Sequence, residues 1–374
     1  MKNIVNLGNV ATYINGYAFK PSDWAEDGTP IIRIQDLTGN SYQMNRFKGI
    51  VDSKYDVNSG DVLISWSASL GVYVWNRGNA VLNQHIFKVV FDKEEVDKDF
   101  FVFQIDNLLK RAANQAHGAT MRHLTKPVFD ALPFYLPDIK TQRLISSKLN
   151  LIVHLIEDHH EQLKKLDELI RSRFIEMFGD LINEPKYPGI KLGSLGIMIT
   201  GGTPSRKHDE YYGGNIPFIS TPCLGSNFIS EKNVQNYLTE AGVKNSATHK
   251  IPPYSLMVGN RVGVGKSSIN TCEMCTNQDI LSFVHIDTSR FDLLFLKKVI
   301  DQYSPYFDEH KRGATIQGVP SKVIKDSMVP DVPLEMQKRY TALVKQSDKS
   351  KMAVQKSLDE LETLKKSLMQ TYFG

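Results

Sequence analysis

Cysteine is scarce, with three in 374 residues. That is too few for a disulfide framework, which excludes the small cross-linked secreted class and fits a reducing compartment. No long apolar run is present. The most apolar stretch, LNLIVHLIE, is short and broken by His154, whereas a membrane span needs about 20 apolar residues. The opening MKNIVNLGNV has no basic segment followed by an apolar one, so no secretory leader is expected and a cytoplasmic protein is. Neither sign of charge is in large excess, since 45 Lys and Arg face 41 Asp and Glu. The resulting pI near 8.7 permits an anionic partner without requiring one. With 41% hydrophobic residues and this length, two or three domains with real cores are expected.

Glycine and proline are missing from two long segments, Thr141 to Phe178 and Leu334 to Phe373, both rich in Leu, Lys, Glu and Gln. Each is predicted to be a helix. The segments are two instances of a duplication that fills the chain. VNLGNVATYINGY is echoed by IKLGSLGIMITGG, PIIRIQDLTGN by PFISTPCLGSN, LNQHI by TNQDI, HGATMRHLTK by RGATIQGVPSK, and MFG by YFG. Gln142 and Gln337 mark the offset, 337 − 142 = 195 positions. Before each helix come short β-type runs such as GDVLISW and FKVVF, or SLMVG and LSFVHI, punctuated by Gly, Pro, Asn and Asp. Each copy therefore reads as a mainly β domain with some helix, followed by one long helix.

The helices share a heptad frame. Ile145, Ile152, His159, Leu166 and Arg173 superimpose on Tyr340, Ser347, Val354, Leu361 and Leu368, with Leu155, Leu169, Leu343 and Leu364 expected in the alternate seam. His159, Arg173 and Ser347 blemish it. Helices of about 38 residues are roughly 57 Å long, while the connector DLINEPKYPGI spans roughly 35–40 Å at full stretch. Parallel packing would ask that connector to return the whole helix length. The expected arrangement is antiparallel and pseudo-two-fold, with the β domains at opposite ends. Such a pair suits duplex DNA read at two half-sites about 10 to 16 base pairs apart, and because the copies have diverged, half-sites of different sequence.

The opening ITGGTPSRKHDEYYGGNIPFIS, the junction RGATIQGVPSKVIKDSMVPDVPLEMQ with its partner HGATMRHLTKPVFDALPFYLPDIKTQ, and the helix endings LDELIRSRFIEMFGD and LDELETLKKSLMQTYFG resemble the specificity subunit of a type I restriction-modification system. The resemblance covers essentially the whole chain. The first copy departs from it in having NGYAF where the second has GGTPS. It implies an α+β fold of two tandem β-rich target-recognition domains separated by two long spacer helices in an antiparallel coiled coil. The expected divisions are 1–140 for the first recognition domain, 141–181 for the first spacer helix, 182–332 for a linker and the second recognition domain, and 333–374 for the second helix. The implied function is to recognise a bipartite, asymmetric DNA target without catalysis by this chain. Implied partners are double-stranded DNA, two methyltransferase subunits and motor-nuclease (restriction and translocase) subunits, with no membrane. S-adenosylmethionine, ATP and magnesium would belong to those partner subunits, and no cofactor or metal to this chain. Two other readings stay open, a modification-only or type II-like methyltransferase complex, and a coiled-coil scaffold that binds protein or glycan.

Three motifs that would indicate an enzyme or a metal are incomplete. GNRVGVGKSS has Asn260 where a phosphate-binding loop needs its first glycine, and the following SINTCEMCTNQDI is not a convincing helix. The first copy has Val72 where Lys266 stands. IPPY begins with Ile251, which offers no side-chain acceptor for an amino group. CEMC places Cys272 and Cys275 at zinc-knuckle spacing, but a closed site needs another ligand pair, and only Cys223 and scattered histidines such as His249 and His285 are available. The candidates for DNA contact are polar and basic residues on predicted loops. They are Lys20, Arg33, Gln35, Trp66, Arg122 and His123 in the first copy, and Arg206, Lys207, Arg261, Lys266 and Gln317 in the second. Arg and Gln read base edges, while Lys mostly neutralises phosphate.

Overall fold

The computed structural model describes residues 3–40, 43–115, 125–313 and 317–374. The chain divides into two compact units, residues 1–160 with 356–374, and residues 161–355. Each unit therefore holds one β domain and a segment of each long helix.

In the first unit, an antiparallel sheet runs in the order Thr12–Asn15, Ile86–Val90, Val62–Ser65, Gly71–Val74. A second sheet has the order Arg46–Phe47, Thr29–Ile32, Ala80–Leu82, Asp56–Val57, and its central pair is parallel. Residues 83–85 carry the chain directly from one sheet to the other. The second unit repeats the plan. One sheet is ordered Ile197–Thr200, Ile280–Val284, Leu256–Gly259, Ser267–Asn270, Phe228–Ile229. The other is ordered Asn236–Leu238, Tyr212–Ile219, Met274–Thr276, Lys250–Ile251, again with a parallel central pair. Residues 277–279 make the matching crossover. In each unit a further antiparallel pair, Ile4–Asn6 with Pro133–Tyr135 or Gly189–Lys191 with Met328–Pro330, joins the start of the β domain to the strand before the long helix. Strands that bury both faces, such as Val62–Ser65 and Ile280–Val284, are covered in every residue, which explains why they read as apolar runs and not as alternation.

The long helices are Ile139–Phe178 and Leu334–Phe373. Their segments run antiparallel in each unit. In the first, His159 Nε2 and Ser357 Oγ are hydrogen-bonded at 3.1 Å, while Ile145 and Leu149 share a core with Phe373 at the other helix's far end. In the second, Lys351 pairs with Asp167 and the ring of Tyr340 meets that of Phe174 at 5.4 Å, edge to face. The helices also pack on the β domains. Phe100 of the helix Lys98–Gln115 lies 5.4 Å from Phe373, and Phe295 of the helix Leu293–Gln302 lies 5.0 Å from Phe178. Full burial of each such ring stabilises by roughly 1.5–3 kcal/mol.

The alternate seam differs from its expected register. Leu169, Leu343 and Leu364 are exposed, and Ile170 and Val344, one residue later, are buried with Leu149 and Leu358. The second seam position lies four residues after the first, not three. Both offsets flank a 3.6-residue turn, and the β-domain helix that carries Phe295 occupies the side where the four-residue offset points. The irregular seam positions find different solutions: His159 bonds across to Ser357, Arg173 pairs with Glu176 at the surface, and Ser347 is buried with its Oγ unpartnered. Among the described residues, no helix is long and apolar enough to cross a membrane.

Candidate nucleic-acid interface

The crossovers between the sheets share four backbone hydrogen bonds in the two units, although His85 takes φ 72° and its counterpart Asp279 does not take a positive φ. Asn83 N–H donates to Ile32 C=O at 3.2 Å, and Asn277 N–H to Ile219 C=O at 3.0 Å. Gly16 N–H donates to Ile86 C=O, and Gly201 N–H to Ile280 C=O, each at 3.1 Å. Tyr17 N–H reaches Leu82 C=O at 2.8 Å, and Gly202 N–H reaches Thr276 C=O at 2.9 Å. Trp66 N–H reaches His85 C=O at 3.3 Å, and Asn260 N–H reaches Asp279 C=O at 3.0 Å. The first of these strand ends must be glycine. A Cβ on Gly16 would stand 2.0 Å from Asn83 O, and one on Gly201 would stand 2.2 Å from Asn277 O, so any side chain would force the strands apart.

The shared hydrogen-bond pattern carries different side chains. In the first unit, Trp66 lies edge-on to His85 at 5.0 Å and stacks on Phe87 at 5.6 Å, and its Nε1–H donates to Asn15 Oδ1 at 3.1 Å. Arg33, directly after Ile32, sits over the ring of Trp24 at 5.4 Å. In the second unit, Asn260 takes the place of Trp66 and Asp279 that of His85. Arg261 Nη1 stands 3.8 Å from Asp279 Oδ1, beyond hydrogen-bond reach, and Asn277 Nδ2 donates to Asp279 Oδ2 at 3.2 Å. Residues 317–319 close this side, where Val319 N–H donates to Asn260 C=O at 2.8 Å. The stem of Arg261 lies against Gly318, whose Cβ, if present, would meet it at 2.7 Å.

The structure therefore gathers Arg33 and Trp66 at the first crossover, and Arg261 at the second, with Gln317 beside Gly318 and Lys266 on the same turn as Arg261. Gln35 is exposed two residues beyond Arg33. Lys20 is exposed at a separate turn, where its N–H donates to Asp23 Oδ2 at 2.7 Å. Arg206 and Lys207 are exposed in the turn that follows Gly201–Gly202. Arg122 and His123 lie outside the described residues. Sequence reasoning missed Asn260, His85 and Asp279, although LNQHI and TNQDI were visible as a repeat; the signal was that the repeat keeps Asn-Gln and varies the residue after it.

The incomplete motifs have local structural roles. After Lys266 the chain enters the strand Ser267–Asn270, not a helix, and Gly263 and Gly265 take φ of 80° and 77° in the turn before it. Ile251 ends a strand and Tyr254 turns the chain at φ 60°. Cys275 is buried, and burial pushes its thiol up to about 11. Among the described residues, no group of three or more His, Cys, Asp or Glu side chains is placed to hold a metal.

The fold is that of known proteins. A chain from a structure on complex assembly and conformational transition of a type I restriction-modification system superposes with a TM-score of 0.64 at 15% identity, covering 99% of this chain and 97% of that one. The S subunit of the type I system from M. genitalium superposes with 0.57 at 12% identity, covering 100% and 96%. In sequence, the EcoBI specificity subunit of Escherichia coli is 25% identical over 170 residues, 45% of this chain and 35% of that protein. The HindI specificity subunit of Haemophilus influenzae is 29% identical over 124 residues, 33% and 27% respectively. These alignments span about a third of each relative's length. The family described as type I restriction modification DNA specificity domain matches residues 2–168 and again 187–363, once on each copy of the duplicated plan, and the chain belongs to that family.

Proposed function

We propose that this chain is the DNA sequence-specificity subunit of a type I restriction-modification complex. It recognises a bipartite, asymmetric target in double-stranded DNA, one half-site through each β domain, and docks two methyltransferase subunits, with motor-nuclease subunits as further partners. The recognition domains are assigned to 1–140 and, together with a preceding linker, 182–332, and the spacer helices to 141–181 and 333–374. The chain itself performs no catalysis and holds no cofactor; methyl transfer and ATP hydrolysis, with S-adenosylmethionine, ATP and magnesium, belong to its partners. The observation that carries this reading is the duplicated crossover, one set of backbone hydrogen bonds bearing Trp66 and His85 in one copy and Asn260 and Asp279 in the other. Two readers with the same scaffold and different chemistry suit two half-sites of different sequence. Arg33, Gln35, Trp66, Arg261 and Gln317 are assigned to base edges. Lys20, Arg206, Lys207 and Lys266 are assigned to phosphates, together with Arg122 and His123.

The test is binding of duplex DNA by this chain with its methyltransferase subunit across a salt series, combined with methylome sequencing of a host with and without the gene. Phosphate neutralisation predicts affinity that falls steeply with salt, and the gene predicts one added bipartite methylated motif. Salt-independent binding with no new motif would favour the scaffold reading. A new motif without restriction of unmodified DNA would identify the modification-only complex.

A further inference from the structure

We infer that Arg261 and Asp279 together read one C·G base pair of the second half-site, and that Trp66 and His85 are the corresponding specificity-determining pair of the first. This rests on the function proposed above and goes further, in assigning chemistry to a particular pair of positions. Three observations carry it.

The first is equivalence. The pairs 66/85 and 260/279 are joined by the same backbone hydrogen bond at corresponding crossovers, although His85 stands at φ 72° and Asp279 does not, so equivalent positions present different side chains in the two units. The second is unmet hydrogen-bonding capacity. Nine side-chain polar atoms among the described residues are buried without a partner, and six of them cluster at the two crossovers: Arg33 Nε, His85 Nδ1, Asn260 Oδ1, Thr276 Oγ1, Asn277 Oδ1 and Asp279 Oδ1. Native proteins leave few such atoms, because each costs roughly 1–3 kcal/mol. Four of the six lie at the second crossover, with His85 and Asp279 as the corresponding pair, and this concentration marks groups held ready for a ligand.

The third is the chemistry of the second unit. Asp279 Oδ1 is an acceptor with no donor within hydrogen-bond reach, and Arg261, with a side chain 53% exposed, is a donor that stops 3.8 Å short of it. In the major groove a C·G pair offers one donor, cytosine N4–H, beside two acceptors, guanine O6 and N7. Asp279 accepts from the first and Arg261 donates to the others. The long Arg261–Asp279 contact lets the guanidinium move off the carboxylate at small cost, exposing Oδ1 as the base pair arrives. The first unit presents aromatic faces and an imidazole instead, so it does not select the same pair.

The experiment is selection from randomised duplexes, read by methylation, using the full chain in complex with its methyltransferase subunit. The variants are Asp279→Asn, Arg261→Ala and Trp66→Ala. Arg261→Ala alters an exposed side chain and keeps the test valid if Asp279→Asn folds poorly. Asp279→Asn and Arg261→Ala are expected to reduce discrimination at one C·G position of one half-site by about ten- to a hundredfold, with every other position unchanged. Trp66→Ala is expected to alter the other half-site only. A uniform fall in methylation with base preferences intact would mean a merely structural role and overturn the inference, as would unchanged preferences. Wild-type complex that selects no motif would instead overturn the proposed function, and this inference with it.

Discussion

Gln142 and Gln337 make the same three kinds of hydrogen bond, each at the start of a long helix. Gln142 Oε1 accepts from Asp97 N–H at 2.9 Å, and its Nε2 donates to Pro137 C=O at 2.8 Å and Glu95 C=O at 3.4 Å. Gln337 Oε1 accepts from Asp292 N–H at 2.9 Å, and its Nε2 donates to Val332 C=O at 2.9 Å and Arg290 C=O at 3.1 Å. Both are buried. Asp97 and Asp292 each begin a β-domain helix and accept from the backbone of Phe100 and Phe295, so one amide locks the long helix to the domain beside it. Gln337→Leu leaves Asp292 N–H and two carbonyls buried and unpaired. The expected cost is about 2–4 kcal/mol, seen as a fall of several degrees in thermal midpoint, and a midpoint unchanged within error would disprove this role.

Lys297 supplies a second test of packing. Its ammonium is almost fully buried and bonded to both oxygens of Asp301, at 2.9 and 2.7 Å. Burial pulls its pKa below the usual 10.5, against the opposing pull of Asp301. Asp301→Ala strands that charge and is expected to destabilise by about 3–5 kcal/mol, whereas Lys297→Met with Asp301→Leu is expected to recover part of that loss, the remainder reflecting the contacts of Asp301 with Lys298 and Ser267. Because the folded pKa is lowered, the unfolded chain binds more protons in the interval up to 10.5, so this contribution to stability rises with pH there. Denaturant titrations of the single and double variants measure both effects.

Thiol labelling should distinguish the cysteines. Cys275 is buried, with its thiol raised to about 11 from 9.0, and Cys223 is half-exposed. At pH 8, Cys275 is expected to stay unlabelled by a thiol reagent until the protein unfolds. The raised folded pKa also means a contribution to stability that is fully present below pH 9 and is lost as pH rises through 11.

Exchange of residues 190–332 for the second domain of another family member is expected to change one half-site and leave the other intact, as read by methylome sequencing. A change in both, or in neither, would break the modular reading.

The helical spacer expected from the sequence is tested by a four-residue insertion between Gln142 and Leu151. One added turn is roughly 6 Å, close to two base-pair steps. The gap between half-sites should lengthen while the bases stay the same. Altered bases at constant gap would place sequence reading on the helices.

The sequence by itself determined the duplication, the two helices and the family, because these are recorded in residue order. Repeated strings at one offset and long runs without Gly or Pro survive without knowledge of contacts. Trp66, Arg261 and Lys266 were legible as candidates because polar and aromatic residues in Gly-rich turns are conspicuous. What only the tertiary structure decided was which face of each helix is buried and which candidate residues stand together. Leu169 and Leu343 fit a heptad as well as Ile170 and Val344 do, and the choice fell to Phe295 and Tyr340, packed from distant parts of the chain. Asp279 and Asn260 lie in separate strings that look like ordinary turns. They become a pair only because two sheets meet at a crossover so tight that Gly201 can carry no side chain.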